Sequence, residues 1–201
     1  QKLCKAQGVD LLMGRAEFLD EQTLSIVSDG STEPKRLTFD QAILAPGSEP
    51  IEIPGFAFDG QNIVSSREAL SFDTLPHSVV VVGGGYIGME LSTVLAKLDV
   101  DVTVVEMLED ILPGYGSDLT RQVKRRAKEI GIDFHFGEAA HDWETTDDGI
   151  RVHTQDEDGE ISAFEATAAI VAVGRSPVTE TLNLEAVGLE TNEKGFLDTD
   201  D

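Results

Sequence analysis

Gly83, Gly85 and Gly88 stand in a G-x-G-x-x-G run, GGGYIG, and Glu106 follows eighteen residues after the last of them. Residue types at this spacing suit a diphosphate and a ribose. Gly83 permits a tight turn, Gly85 lets the backbone approach a pyrophosphate with no Cβ in the way, and Gly88 lets a helix lie close on a strand. Unpaired N–H groups and the positive end of the helix dipole would then face the phosphate oxygens. Glu106 would accept hydrogen bonds from both hydroxyls of an adenosine ribose and repel a 2′-phosphate. Met107, Leu108, Glu109 and Asp110 supply no arginine to offset that repulsion, so the residues favour NAD over NADP.

Elements must hold these residues in place, and the flanking sequence provides them. Val79, Val80, Val81 and Val82 are apolar in succession, as a strand covered on both faces must be. After the glycines, Ile87, Leu91, Val94, Leu95 and Leu98 recur at helical spacing, and Val102, Val104 and Val105 lead along a second strand to Glu106. Past the Pro113 to Gly116 turn, a helix is predicted near Leu119 to Ile130 with Leu119, Val123, Ala127 and Ile130 inward and Gly131 at its C′ position. A strand at Ile132 to Phe136 completes a βαβαβ unit. Asp147, Asp148 and Gly149, then Asp156 to Gly159, punctuate an antiparallel meander, and Ala168 to Val173 reads as another buried strand. Upstream, residues 9 to 45 read as short strands whose apolar positions are Leu24, Ile26, Leu37 and the Ala42 to Ala45 run. Ser65 to Glu68 forms a capping box for a short helix.

Composition limits the classes of function. With 38 acidic against 15 basic residues the formal net charge is −23, which opposes binding to nucleic acid or to an anionic membrane surface. Self-repulsion at this density is screened by salt, so the chain reads as salt-adapted. Arg121, Lys124, Arg125, Arg126 and Lys128 cluster on one predicted helix and read as its solvated face. Cys4 is the single cysteine, which excludes a disulfide or a paired-cysteine metal site within these residues, and it reads as a buried spectator thiol. No apolar run reaches the roughly 20 residues of a membrane span, and no signal-peptide pattern is present, so the expected setting is cytoplasmic. His77, His135, His141 and His153 have no catalytic partner at recognisable spacing and read as solvated or packed.

The ordered motifs ILAPGSEP at 43–50, VVVVGGGYIGME at 79–90, VTVVE at 102–106, ILPG at 111–114 and VAVGRSP at 171–177 resemble the pyridine-nucleotide disulfide oxidoreductases over nearly the whole chain. The resemblance implies an α/β fold, with a Rossmann-like NAD-binding domain (parallel sheet plus antiparallel meander) inserted in a partial FAD-binding domain. Residues 1–73 would be a flavin-domain segment with linker, 74–195 the NAD domain, and 196–201 the return toward the flavin domain. Gly83, Gly84, Gly85, Ile87 and Gly88 would hold the NAD pyrophosphate, and the backbone at Ala140 would touch the adenine edge. Gly174 and Arg175 would lie near the nicotinamide half. Tyr86 resembles a side chain between flavin and nicotinamide, with a packed aromatic as the alternative; Glu90 resembles an acid beside the nicotinamide, with a first-turn residue complementing the helix dipole as the alternative. Ala16, Pro46, Gly47 and Ser48 match positions that contact FAD.

The family also has a first glycine-rich flavin turn and a redox cysteine pair upstream, and a second flavin motif with a His–Glu base pair downstream. None of these lies in the present residues, so the resemblance implies a middle piece without catalytic or metal-binding residues of its own. For the longer parent it implies FAD, electron transfer through a disulfide, a lipoyl-bearing protein as partner, and a homodimer. Another flavin disulfide reductase, or a non-catalytic NAD-binding module, are the alternatives. Three positions depart from the family pattern. Pro46 replaces a threonine, removing a hydroxyl and an N–H; Asp99 replaces a helix-end glycine; Val178 stands where asparagine is common.

Overall fold

The valines at 79–82 point alternately into two separate apolar clusters, which is why none of them is polar. Around them the computed structural model describes residues 2–199. In chain order, α1 spans Lys2–Ala6, followed by β1 Arg15–Asp20, β2 Thr23–Val27, β3 Lys35–Thr38, β4 Ser48–Pro50 and β5 Ile63–Val64. Next come α2 Ser66–Ala69, β6 Ser78–Val82, α3 Tyr86–Ala96, β7 Asp101–Glu106, α4 Ser117–Glu129 and β8 Ile132–Phe136. The remainder is β9 Ala139–Thr146, β10 Gly149–Gln155, β11 Ile161–Ala166, β12 Ala168–Val171 and β13 Arg175–Pro177, then two short 3-10 turns at Glu180–Leu182 and Leu184–Val187. The fold is α/β, and the chain divides into two compact units, 1–49 with 176–201, and 50–175. Residues 200 and 201, in the segment expected to return toward a flavin domain, lie outside the described residues.

The continuous unit 50–175 is built on a five-stranded sheet of order β5-β12-β6-β7-β8, parallel throughout, with Val79 beside Val102 and Val104 beside Phe134. Val79 and Val81 join the cluster under the helices with Leu91, Leu95 and Ala127. Val80 and Val82 face the other way, toward Ile150 and Val152 of the antiparallel meander β9-β10-β11. The meander is tied down by Trp143, whose Nε1–H donates to the Gly55 carbonyl at 2.9 Å. The ends of the unit are also joined, since the Ile51 N–H donates to the Gly174 carbonyl at 3.1 Å.

Local signals hold at the element ends. Ser65 caps α2 with Glu68 completing the reciprocal box. Asp99 adopts the left-handed conformation expected of a glycine substitute, and Gly131 does so after α4. Periodicity misassigns several apolar residues. Val94 and Leu98 are about half exposed, and Leu119 is exposed while Thr120 turns inward. Thr120 is buried because its hydroxyl donates to the Asp110 carboxylate at 2.7 Å, a partner from the preceding loop. The last parallel strand ends at Val171, leaving Val173 partly exposed.

The other unit holds the three-stranded antiparallel sheet β1-β2-β3, with Phe18 opposite Leu24 and Leu24 opposite Leu37. Its core is small: Phe18 packs edge-on to Phe39 at 5.9 Å, with Ile26 and Leu184 buried nearby. Asn183 adopts a left-handed conformation, and its side-chain amide donates to the Phe18 carbonyl at 2.7 Å. The Ala42 to Ala45 run is not a strand. Ile43 is 96% exposed, because among the described residues no strand pairs with this run. Leu37 is likewise exposed, and Cys4 is half-buried on α1 instead of lying in a core.

Candidate functional site

The glycine turn is locked by backbone contacts before any side chain is considered. Gly83 has φ +107°, and its N–H donates to the Val105 carbonyl at 2.8 Å. A Cβ there would lie 2.7 Å from the Ala172 carbonyl oxygen, so the turn is wedged between the ends of β7 and β12. The Gly84 carbonyl accepts from Leu112 N–H at 2.8 Å. At Gly88 a Cβ would stand 2.0 Å from the Gly83 oxygen, which demonstrates the close helix-to-turn packing expected of the third glycine. Gly85 is different. It is the N-cap of α3, has no side-chain cap, and a Cβ on it would meet nothing within 4 Å. That space opens on a cleft at the carboxyl ends of the parallel strands, the usual location for a ligand in an α/β sheet.

The cleft encloses about 640 Å³ and lies wholly within the 50–175 unit, within the range of ligand-binding cavities. Gly83, Gly85, Tyr86 and Ile87 form its wall at the start of α3. Glu106 and Ala140 line it beside the second strand, and Gly174 and Arg175 beside the last one. Gly84 and Gly88 do not line it: one sits behind the turn and the other beneath the helix. Glu90 is also absent from the lining. Since α3 begins at Tyr86, Glu90 lies in the second turn and is exposed, so it is not the first-turn residue that the dipole alternative requires. Tyr86, in contrast, lines the cleft and is 62% exposed among these residues.

Glu106 is buried and already oriented. One carboxylate oxygen accepts from Gly84 N–H at 2.6 Å and the other from Leu108 N–H at 2.8 Å. A carboxylate offers about four lone-pair sites, so these two bonds leave acceptor capacity for a vicinal diol. Fixing the group between two amides also fixes the negative charge that a 2′-phosphate would meet.

Several cleft residues escaped the sequence reasoning. Leu112, Pro113 and Tyr115 come from the loop after β7, where Leu112 has φ +53°, and Ile53 and Pro54 come from the linker. The ILPG motif was the available signal for that loop. Glu138 is the other omission. It lines the cleft two residues before Ala140, accepts from the Thr154 hydroxyl, and lies 3.6 Å from His135 Nδ1. No spacing rule indicates it, because Thr154 reaches it from a neighbouring strand of the meander.

In the other unit, Ala16 and Pro46 come together on an apolar groove of about 230 Å³ with Phe18, Leu24 and Leu182. Gly47 and Ser48 lie just beyond it, and the Gly47 carbonyl accepts from Val178 N–H at 3.1 Å. Gly47 has φ +79°, so the turn depends on it. Among the described residues no cluster of His, Cys, Asp and Glu could hold a metal ion, and no helix is long and apolar enough to cross a membrane.

The whole chain, residues 1–201, matches the family described as pyridine nucleotide-disulphide oxidoreductase. It is 58% identical to the dihydrolipoyl dehydrogenase of Halobacterium salinarum and 54% identical to that of Haloferax volcanii, over 100% of this chain and 42% of each relative. Against the dihydrolipoyl dehydrogenase of Staphylococcus aureus it is 39% identical over 98% of this chain and 42% of that protein. The crystal structure of LpdA from Mycobacterium tuberculosis is similar with a TM-score of 0.86 at 26% identity, covering 98% of this chain and 43% of that one. RclA, a flavoprotein disulfide reductase from Escherichia coli, shares the fold with a TM-score of 0.82 at 24% identity, covering 96% of this chain and 42% of that one. The chain thus spans less than half the length of the curated relatives it matches. Two of those relatives are from halophilic archaea, which fits the salt-adapted composition.

Proposed function

Because this chain belongs to the pyridine nucleotide-disulphide oxidoreductase family, we propose that it is the NAD(H)-binding portion of a flavin-dependent dihydrolipoyl dehydrogenase, a cytoplasmic enzyme that passes electrons from dihydrolipoamide to NAD. The observation that carries the nucleotide assignment is the cleft above Gly85, open where a Cβ would sit and bordered by the fixed carboxylate of Glu106. In this reading residues 74–195 form the NAD domain, and residues 1–73 and 196–201 belong to the flavin domain.

Bound NAD supplies the nicotinamide that exchanges a hydride with the flavin; the residues present bind and orient. The uncapped amides at the start of α3 and the helix dipole stabilise the pyrophosphate, beside Gly83 and Ile87, while Gly84 acts from behind the turn by orienting Glu106. Glu106 takes the ribose hydroxyls, and the backbone at Ala140 borders the adenine. Tyr86 and Glu90, one helical turn apart on α3 and so on one face, stand on the nicotinamide side with Gly174 and Arg175. Tyr86 would shield the ring where it meets the flavin. Ala16, Pro46, Gly47 and Ser48 fit contact with FAD through backbone and small side chains only. The lipoyl-bearing partner, the second copy in a homodimer and the reacting cysteines belong to the longer parent.

Calorimetry with NADH and NADPH tests the reading. NADH is expected to bind more tightly, Glu106→Ala to reduce the discrimination by at least about tenfold, and Gly85→Val to abolish binding of both. Equal or tighter NADPH binding by the unaltered chain would remove the ribose assignment.

A further inference from the structure

We propose that the groove between α4 and the outer edge of β8 is a docking site for an extended, acidic segment of a partner protein. This goes beyond the nucleotide reading and does not depend on it, since no residue of the groove lines the cleft.

Arg121, Lys124, Arg125 and Lys128 recur along α4 at i, i+3, i+4 and i+7, so they share one face. Together with Phe136 of β8 and a single acid, Glu129, they line a groove of about 520 Å³. In a chain with 38 acidic and 15 basic residues, four cations on one groove are a concentrated exception. Their charge is only partly spent. Lys124 reaches Asp110 at 2.7 Å and lies 5.1 Å from the centre of the Phe136 ring, and Arg125 comes only to 3.9 Å from Glu129. Arg121 and Lys128 form no ion pair among the described residues.

The second observation is the sheet itself. β8 is its edge strand, pairing on one side with β7 only, so its outward N–H and C=O groups have no strand beside them among the described residues. An extended peptide can add to such an edge through main-chain bonds while alternate side chains fall on neighbouring pockets. Here those pockets would be the α4 cations over the half-buried Phe136 ring. Charge complementarity selects an acidic segment, while the −23 background repels a long polyanion such as nucleic acid.

The test uses the full-length parent enzyme and a fluorescent peptide of alternating glutamate and valine, followed by anisotropy across a KCl series. The peptide should bind, a lysine–valine counterpart should not, and N-methylation of alternate backbone amides should weaken binding by at least about tenfold. Arg121→Glu with Lys128→Glu should weaken it by at least about tenfold. Lys97→Glu with Arg126→Glu removes the same net charge from the groove between α3 and α4, and should change affinity less than about twofold. If the reversed pair melts early, Arg121→Gln with Lys128→Gln serves instead, with a loss of about fivefold. No binding of the glutamate–valine peptide, equal weakening in both charge-altered proteins, or indifference to N-methylation would overturn the proposal. So would tighter binding of a DNA oligonucleotide than of the acidic peptide.

Discussion

A Cβ added at Gly88 would lie 2.0 Å from the Gly83 carbonyl oxygen, whereas one added at Gly85 meets no protein atom within 4 Å. The first glycine serves packing and the second serves whatever enters the cleft. Gly88→Ala should therefore destabilise the fold by about 3 kcal/mol, lowering the melting temperature by roughly 6–12 °C. Gly85→Val should leave the melting curve within about 2 °C of the original while losing nucleotide binding. If both substitutions destabilise equally, the cleft does not begin at Gly85. Asp110 gives a residue-level test with a pH signature. Hydrogen bonding from Lys124, then from Thr120, holds its carboxyl below the ordinary carboxylate range. A folded-state pKa lower than the unfolded one stabilises the fold above the unfolded value, about 3.9, and the effect is lost as the pH falls through the folded value. Asp110→Asn should cost about 1 kcal/mol near neutral pH, allowing for solvent screening. That difference should shrink in melts below about pH 4. A difference that stays constant into acid would mean that the charge of Asp110 does not matter.

At the scale of elements, Ser65→Ala should remove the N-cap of α2 and cost about 1 kcal/mol, measurable by denaturant titration. Substituting Thr for Ser65 should recover most of it, and no loss would show that α2 is held by tertiary contacts alone. The capping box was legible because both partners lie within four residues. The same holds for the strand, glycine turn and helix at 78–96, where apolar continuity, turn residues and helical spacing agree. Thr120 was illegible for the opposite reason: its burial depends on a carboxylate ten residues upstream, which no hydrophobic period encodes. Likewise the Ala42 to Ala45 run has strand composition but no neighbouring strand. Part of the cleft wall, Leu112, Pro113, Tyr115 and Glu138, comes from the loop after β7 and the turn before β9, whose approach is set by tertiary packing.

Over the whole molecule, the net charge of −23 dominates the response to solvent. Raising KCl from 0.1 M to 1 M shortens the Debye length from about 10 Å to about 3 Å, so the melting temperature should rise across that range. A variant with several exposed acids replaced by Gln should gain less; an equal gain would assign the effect to general salting of apolar surface. The isolated chain is also expected to purify colourless and to show no turnover of dihydrolipoamide with NAD, checked by an absorption spectrum and a coupled assay. Stoichiometric flavin would show that Ala16 and the Pro46 to Ser48 turn suffice for FAD. The 3.1 Å bond from Ile51 N–H to the Gly174 carbonyl has a consequence for folding. Segment 50–175 is one unbroken stretch whose two ends meet, so it can condense without any contribution from residues 1–49 or 176–201. The remaining unit is split in sequence and must wait. Once the ends have met, the long intervening chain acts as a short tether, and the loop-closure entropy for joining residues 1–49 to the later segment falls accordingly. Order of folding is thereby written into the connectivity, with the unit that holds the cleft first.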